Sequence, residues 1–278
     1  MRLYSTFLLF LIAMLLLVTS CNEYEDNGKF TYMPETISMI DSAGIRLTTR
    51  FEYDANNRIV SIADTISGNV AREDSAYTRT QIQFGGEGNI TGMVSQCYNT
   101  KTQALIRTLN TTYTYSGNDI LAVTTTSGEG TDANYKMELN NNRQVVKYTW
   151  DNIRKSAEYE YDGRGNRTTG VVKDKDGIIY NYAYNYDDRR GIFKHVNMPN
   201  WFIANELNKS RSTVWISMNE NINAVNNFTS IYWENPLDTI PVMKVLTSCA
   251  YSYNSFGYPL QMSDNHRFSG RITYVRTK

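Results

Sequence analysis

The feature that most constrains this chain is a repeated pattern of alternation. Arg50-Phe51-Glu52-Tyr53-Asp54, Gln81-Ile82-Gln83-Phe84-Gly85, Thr112-Tyr113-Thr114-Tyr115-Ser116, Lys136-Met137-Glu138-Leu139-Asn140, Glu158-Tyr159-Glu160-Tyr161-Asp162 and Ala250-Tyr251-Ser252-Tyr253-Asn254 each place apolar residues at every second position. That is the signature of a strand with one buried face. Tyr180, Tyr182, Tyr184 and Tyr186 continue it. Each run meets a turn rich in Gly, Asn or Asp, such as Asp54-Ala55-Asn56-Asn57 or Asp162-Gly163-Arg164-Gly165-Asn166. These residues tolerate the positive φ of tight hairpins. A second strand follows, as at Arg58–Ala63, Ile90–Ser95 and Arg167–Val172. The unit is a β-hairpin, and its return every 22 to 31 residues between Tyr53 and Tyr161 predicts an antiparallel meander. The fold class is all-β, with residues 30–278 as one repeat domain. Roughly fifteen strands in one meander must manage their edges, so a barrel-like or strongly curved sheet is expected.

The pattern is interrupted between about Asp187 and Arg211, where a short helical insert is expected near 192–210. Met198-Pro199-Asn200-Trp201-Phe202-Ile203-Ala204-Asn205-Glu206-Leu207 places Pro199 at a first helical turn and gives the segment an apolar side. Phe193, Trp201 and Phe202 have two readings: they plug the core, or they form a contact patch for a ligand.

The chain has 278 residues, with 28 basic and 28 acidic side chains and formal net charge +0. A nucleic-acid partner would call for a basic face, so none is expected. Two histidines and three cysteines leave little for a metal centre, and no serine elbow, His-Glu-x-x-His or P-loop is present. No catalytic residue, metal or cofactor is expected. Asp187-Asp188-Arg189-Arg190 reads as a solvated turn with ion pairs, and Asp174-Lys175-Asp176-Gly177 as a turn rather than a calcium loop. The spanning-barrel alternative is disfavoured by the many Tyr hydroxyls on the apolar faces and by the ending Tyr274-Val275-Arg276-Thr277-Lys278.

At the N-terminus, Arg2 precedes the apolar run Phe7–Val18, which is too short to span a bilayer and fits a secretory signal over residues 1–20. Val18-Thr19-Ser20-Cys21 resembles a bacterial lipobox, which implies fatty acylation (palmitate among the chains) at Cys21 and a membrane partnership through that anchor. The other reading is an ordinary cleaved signal with an incidental cysteine. Residues 21–29 form a lipidated tether. Its Glu23, Glu25 and Asp26 resemble the surface-export signal of Bacteroidota lipoproteins, or serve only as a solvated linker. Cys97 and Cys249 remain: a disulfide is permitted, but two buried free thiols are the favoured reading.

Tyr159 to Asn166 resembles the YD (RHS-type) repeat. With the lipobox, the tyrosine hairpins and the interruption at Gly191–Asn197, the mature chain resembles a Bacteroidota lipoprotein family of unknown function described as having a porin-like fold. It lacks the long regular run and processed C-terminal toxin of a true RHS shell. Asp41-Ser42-Ala43, Asp64-Thr65-Ile66, Asp74-Ser75-Ala76 and Asp238-Thr239-Ile240 resemble a Bacteroidota O-glycosylation sequon, making Ser42, Thr65, Ser75 and Thr239 candidate glycan acceptors that must be exposed. The expectation is an outer-membrane, lipid-anchored lipoprotein, facing the cell surface or the periplasm, with the surface favoured, a non-catalytic binding or structural role and a glycan or outer-membrane protein as partner. The alternative is an extracellular glycan hydrolase using two facing carboxylates.

Overall fold

The structure is a computed structural model that describes residues 30–67, 76–128, 133–150, 155–177, 179–207, 225–234, 242–266 and 268–277. Cys21, the signal and tether residues, and Ser75 and Thr239 lie outside the described residues. Sixteen strands occur in them: β1 (Thr31–Ile40), β2 (Arg46–Tyr53), β3 (Ile59–Ser67), β4 (Ala76–Phe84), β5 (Ile90–Asn99), β6 (Leu105–Ser116), β7 (Asp119–Gly128) and β8 (Ala133–Leu139). The second half comprises β9 (Val145–Trp150), β10 (Lys155–Tyr161), β11 (Arg167–Lys173), β12 (Ile179–Tyr186), β13 (Phe228–Glu234), β14 (Lys244–Tyr253), β15 (Pro259–Asp264) and β16 (Ser269–Thr277). Each strand pairs antiparallel with its sequence neighbours, and β1 pairs with β16 from Thr31↔Thr277 to Ile40↔Ser269. The sheet is a closed barrel, one of the two forms the meander allowed, and it has no free edge.

The hairpin turns that follow even-numbered strands gather at one rim, because the meander is strictly up and down. Five of them share one hydrogen-bond pattern. In Asp162–Asn166, Asp162 N donates to Asn166 O and Gly165 N to Asp162 O, while Asp162 Oδ1 accepts from Arg164 N and Asn166 N. Asp54–Arg58, Asn140–Gln144 and Asn254–Tyr258 repeat both sets, and Gly85–Asn89 repeats the backbone pair. The fourth residue is left-handed each time: Asn57, Gly88, Arg143, Gly165 and Gly257. Burial would raise the Asp162 carboxyl, but the Asn166 and Arg164 hydrogen bonds outweigh it and hold the group below the ordinary aspartate value.

Every one of these hairpins carries a β-bulge beside its turn, as at Tyr53, Phe84, Leu139, Tyr161 and Tyr253. Bulges sharpen twist and bend the strand, which helps a wide sheet close on itself. Tyrosines tie successive hairpins together at the same level. Tyr53 Oη donates to Pro34 O, Tyr115 Oη to Ile90 O, Tyr161 Oη to Val145 O, Tyr251 Oη to Phe228 O and Tyr274 Oη to Pro259 O, at 2.6 to 2.9 Å. Each runs from an even-numbered strand to the first residues of the preceding odd-numbered one. The tyrosines of the repeat thus bury their rings and satisfy a carbonyl near the rim.

Inward positions form the core: Ile37, Leu47, Phe51, Ile62, Ile82, Met93, Tyr113, Met137, Tyr148, Ile231 and Ile272 are all buried. Many outward positions at mid-strand are charged or polar, among them Arg50, Glu52, Arg79, Gln81, Lys136, Glu138, Lys147, Glu158, Glu160 and Arg271, while Leu121, Val123 and Val171 are exposed apolar exceptions. Buried Thr49 and Asp64, Thr80 and Ser95, and Thr111 with its partner Thr124, are cross-strand pairs on the inner face. Each pair is joined by a hydrogen bond of 2.5 to 2.9 Å, which offsets part of the cost of placing these groups inside.

The insert is less helical than its sequence suggests. One π-type turn, Phe202–Glu206, follows Pro199, whose carbonyl accepts from Phe202 N and Ile203 N. Leu207 N closes the turn on Phe202 O. Trp201, Phe202, Ile203, Glu206 and Leu207 are all buried, so packing on every side, rather than an amphipathic stripe, sets its shape.

Candidate functional site

The insert between β12 and β13 returns to the rim of tight turns and packs against the inner wall. Asn197 N donates to Asn57 O, and Asn197 Nδ2 to Asn56 O, in the β2–β3 turn. Gly191 N donates to Val225 O, and Asn226 Oδ1 accepts from Asn166 Nδ2 of the β10–β11 turn. Phe193 meets Phe51 edge-on at 5.4 Å, and Trp201 meets Tyr113 at 5.2 Å and Tyr115 at 6.4 Å. Phe193, Trp201 and Phe202 are only 1%, 1% and 0% exposed. They plug the core, and in this structure they present no surface to a ligand.

Two polar residues in the plug bind different parts of the wall. Glu206, fully buried, accepts hydrogen bonds on Oε2 from Tyr113 Oη of β6 at 2.8 Å and from Tyr135 Oη of β8. The adjacent Asn205 accepts from Arg167 Nη2 of β11 at 3.2 Å. The Arg167 guanidinium lies 3.7 Å from the Tyr159 ring centre. Burial works against its charge, but the surrounding Tyr161, Tyr159, Tyr184 and Tyr186 outweigh burial and favour the cation. Tyr113 and Tyr135 are pushed well above the ordinary tyrosine value, first by burial and then by the Glu206 charge. Chemically this is a latch: a carboxylate held by two phenols, beside an amide held by a guanidinium.

The buried acids are therefore engaged separately, Glu206 by tyrosines and Asp64 by Thr49. Among the described residues no three His, Cys, Asp or Glu side chains are grouped so as to hold a metal ion. Asp187 is part of the rim scaffold. It accepts from Arg189 N, Asn227 Nδ2 and Tyr253 Oη, while Asp188 pairs with Arg189 at 3.5 Å. Asp174 Oδ1 caps Asp176 N in a turn whose Gly177 has φ 81°. Cys97 on β5 and Cys249 on β14 are both free, as expected, but only Cys249 is buried, whereas Cys97 is half-buried. Burial, then the charge of Asp264, pushes the Cys249 thiol up to about 12.

Ser42 and Thr65 are exposed, as a glycan acceptor must be. Their preceding aspartates are not equally accessible. Asp64 is buried, whereas Asp41 sits in the β1–β2 turn and caps Ala43 N and Ile45 N.

Sequence reasoning did not single out Glu206 or Arg167. A lone carboxylate inside an otherwise apolar turn was the available signal for Glu206; Arg167 had none. It also missed an open concavity of about 690 Å³ on the outer wall, over β14, β15, β16, β1 and β2. That feature combines three consecutive residues from each of β14, β15 and β16 with Ser38 and Ile40 of β1 and Arg46 of β2, so no single stretch of the sequence marks it.

No protein-family model matches the chain. No curated protein matches it either. Among solved structures, it is similar to a porin-like protein from Bacteroides vulgatus ATCC 8482, with 12% identity, a TM-score of 0.39, and coverage of 88% of this chain and 99% of that one. It is likewise similar to a porin-like protein from Bacteroides uniformis ATCC 8492, with 13% identity, a TM-score of 0.37, and coverage of 87% and 98%.

Proposed function

We propose that this chain is an outer-membrane lipoprotein, anchored by acylation of Cys21, whose barrel stands clear of the bilayer and serves a non-catalytic binding or structural role at the cell surface. The observation that carries this reading is the outer wall. A barrel that spans a membrane needs an outward apolar band about 25 Å tall. Here Arg50, Glu52, Arg79, Lys136, Glu138, Glu158 and Glu160 occupy mid-strand outward positions. Apolar residues and the plug fill the inside instead. Attachment then falls to the N-terminal anchor.

The topology orients the barrel on that anchor. β1 starts at the rim of tight turns, so in this reading a barrel anchored ahead of Thr31 holds that rim toward the bilayer and the opposite rim away from it. Glu23, Glu25 and Asp26 act as the export signal in this reading.

Cell fractionation with a Cys21→Ser variant tests the anchor. The parent chain is expected in the outer-membrane fraction and the variant in the soluble fraction; retention of the variant in the membrane overturns the reading. Protease added to intact cells tests orientation. Digestion, with a periplasmic control protein surviving, is expected, and protection would place the protein on the inner leaflet.

A further inference from the structure

We infer that the concavity on the outer wall is a binding groove for an acidic polysaccharide. The strand register builds it as two outward-facing rows. One row runs Ala250, Ser263, Ser269, Ile40 and Arg46, each directly opposite the next across β14, β15, β16, β1 and β2. The other runs Ser252, Gln261, Arg271 and Ser38 across the first four of these strands. The floor is therefore low over β14 to β16, made there of Ala and Ser side chains, with Ile40, Arg46, Arg271 and Gln261 rising from it. Five strands at about 4.8 Å spacing give a floor about 19 Å long. That is a track for an extended polymer rather than a cup for one small molecule.

The charge of the groove is one-sided. Arg46 and Arg271 are exposed, and neither takes part in an ion pair among the described residues. Arg46 Nη1 instead leans onto Ser38 Oγ at 3.5 Å, and Ser38 stands directly opposite Arg271. Both guanidinium columns thus flank one serine. Arg50 continues the basic face four residues beyond Arg46 on β2, opposite Thr36. Guanidinium forks bind carboxylate and sulfate oxygens in pairs.

Two further facts narrow the class of ligand. The barrel is closed, so an extended peptide finds no free strand edge to pair with. Serine hydroxyls and the Gln261 amide both donate and accept, which matches a polyhydroxylated chain. The one aromatic ring in the lining, Tyr251, has its hydroxyl committed to Phe228 O. With no free aromatic face to stack a neutral sugar, affinity must come from charge. The groove also lies toward the end of β1, about 25 Å along the strand from Thr31. An anchor ahead of Thr31 would leave it facing away from the membrane, but the inference itself rests on the groove and not on the anchor.

The test uses the full chain purified in detergent, with immobilised polygalacturonate, dextran sulfate, neutral dextran and polyglutamate as probes. Binding to one or both acidic polysaccharides is expected, weakening as salt rises. Arg46→Gln with Arg271→Gln should lower affinity about tenfold or more. Ser263→Trp, which fills the floor without changing charge, should also abolish binding. Both sites are exposed, and an unchanged melting temperature verifies the fold. The inference is overturned by failure to bind either acidic polysaccharide, by equal binding to neutral dextran or polyglutamate, or by binding that survives both sets of substitutions.

Discussion

Glu206 is the residue on which the plug depends most directly. Its carboxylate is the acceptor for two buried hydroxyls from β6 and β8, and its neighbour Asn205 accepts from Arg167 on β11. Replacing it with Leu would keep the volume while leaving Tyr113 and Tyr135 without that acceptor. The expected loss is about 1–3 kcal/mol for each hydroxyl so stranded. Glu206→Gln retains an acceptor oxygen and should lose much less. Equilibrium denaturation of the two variants checks this, and equal stability of Glu206→Leu and the parent would remove the latch from the account. The buried Thr and Ser pairs of the inner wall follow the same logic: each partner satisfies the other, so neither needs water. Such pairs cannot be read from one strand alone. Thr80 in Thr80-Gln81-Ile82 has no local mark of burial, because its partner Ser95 lies on the next strand.

At the scale of the element, the turn with a left-handed fourth residue is the unit that repeats. It is also the best-marked feature of the sequence, because Asp or Asn at the first position of four of the five turns and Gly or Asn at the fourth position of four have local causes. The two glycines of Asp162–Asn166 separate conformational need from mere tolerance. Gly165 has φ +94°, and an added Cβ would sit 3.1 Å from Gln144 Nε2, whereas Gly163 faces open space. Gly165→Ala is expected to destabilise by about 1–2 kcal/mol. Gly163→Ala should be neutral or stabilise by about 0.4–1 kcal/mol through the unfolded chain. Thermal unfolding of the two single variants decides it; equal effects would contradict the turn geometry. The insert was legible only in outline. Pro199 marked its start, but most of the residues after it are buried and reach different walls, so among the described residues the insert forms only a short turn rather than a longer regular helix.

The whole molecule couples its stability to the protonation of its tyrosines. Burial, as the leading cause, pushes Tyr113, Tyr135, Tyr148 and Tyr251 well above the ordinary value near 10. Above that pH the unfolded chain releases protons that the folded barrel retains. Stability is therefore complete below about pH 10 and falls as pH rises beyond it. Alkaline titration should show tyrosinate absorbance in two stages, exposed phenols first and buried ones together with loss of sheet. Smooth titration of all tyrosines with the sheet intact would refute the burial of these four rings. Closure is likewise a property of the whole. β1 meets β16 across nearly the full length of the chain, and that contact turns a curved sheet into a barrel without edges.

The sequence by itself determined the all-β class, the hairpin unit, its turns, and which face of each strand goes inside. All of these rest on a period of two and on residues tolerant of positive φ, which act over a few positions. Only the tertiary structure decided that the sheet closes with sixteen strands, that Phe193, Trp201 and Phe202 face inward, and that Glu206 locks them there. It alone brought Arg46, Arg271 and the serines of four strands into one groove. These outcomes depend on register and on contacts between residues far apart in the chain, and no local pattern carries that information.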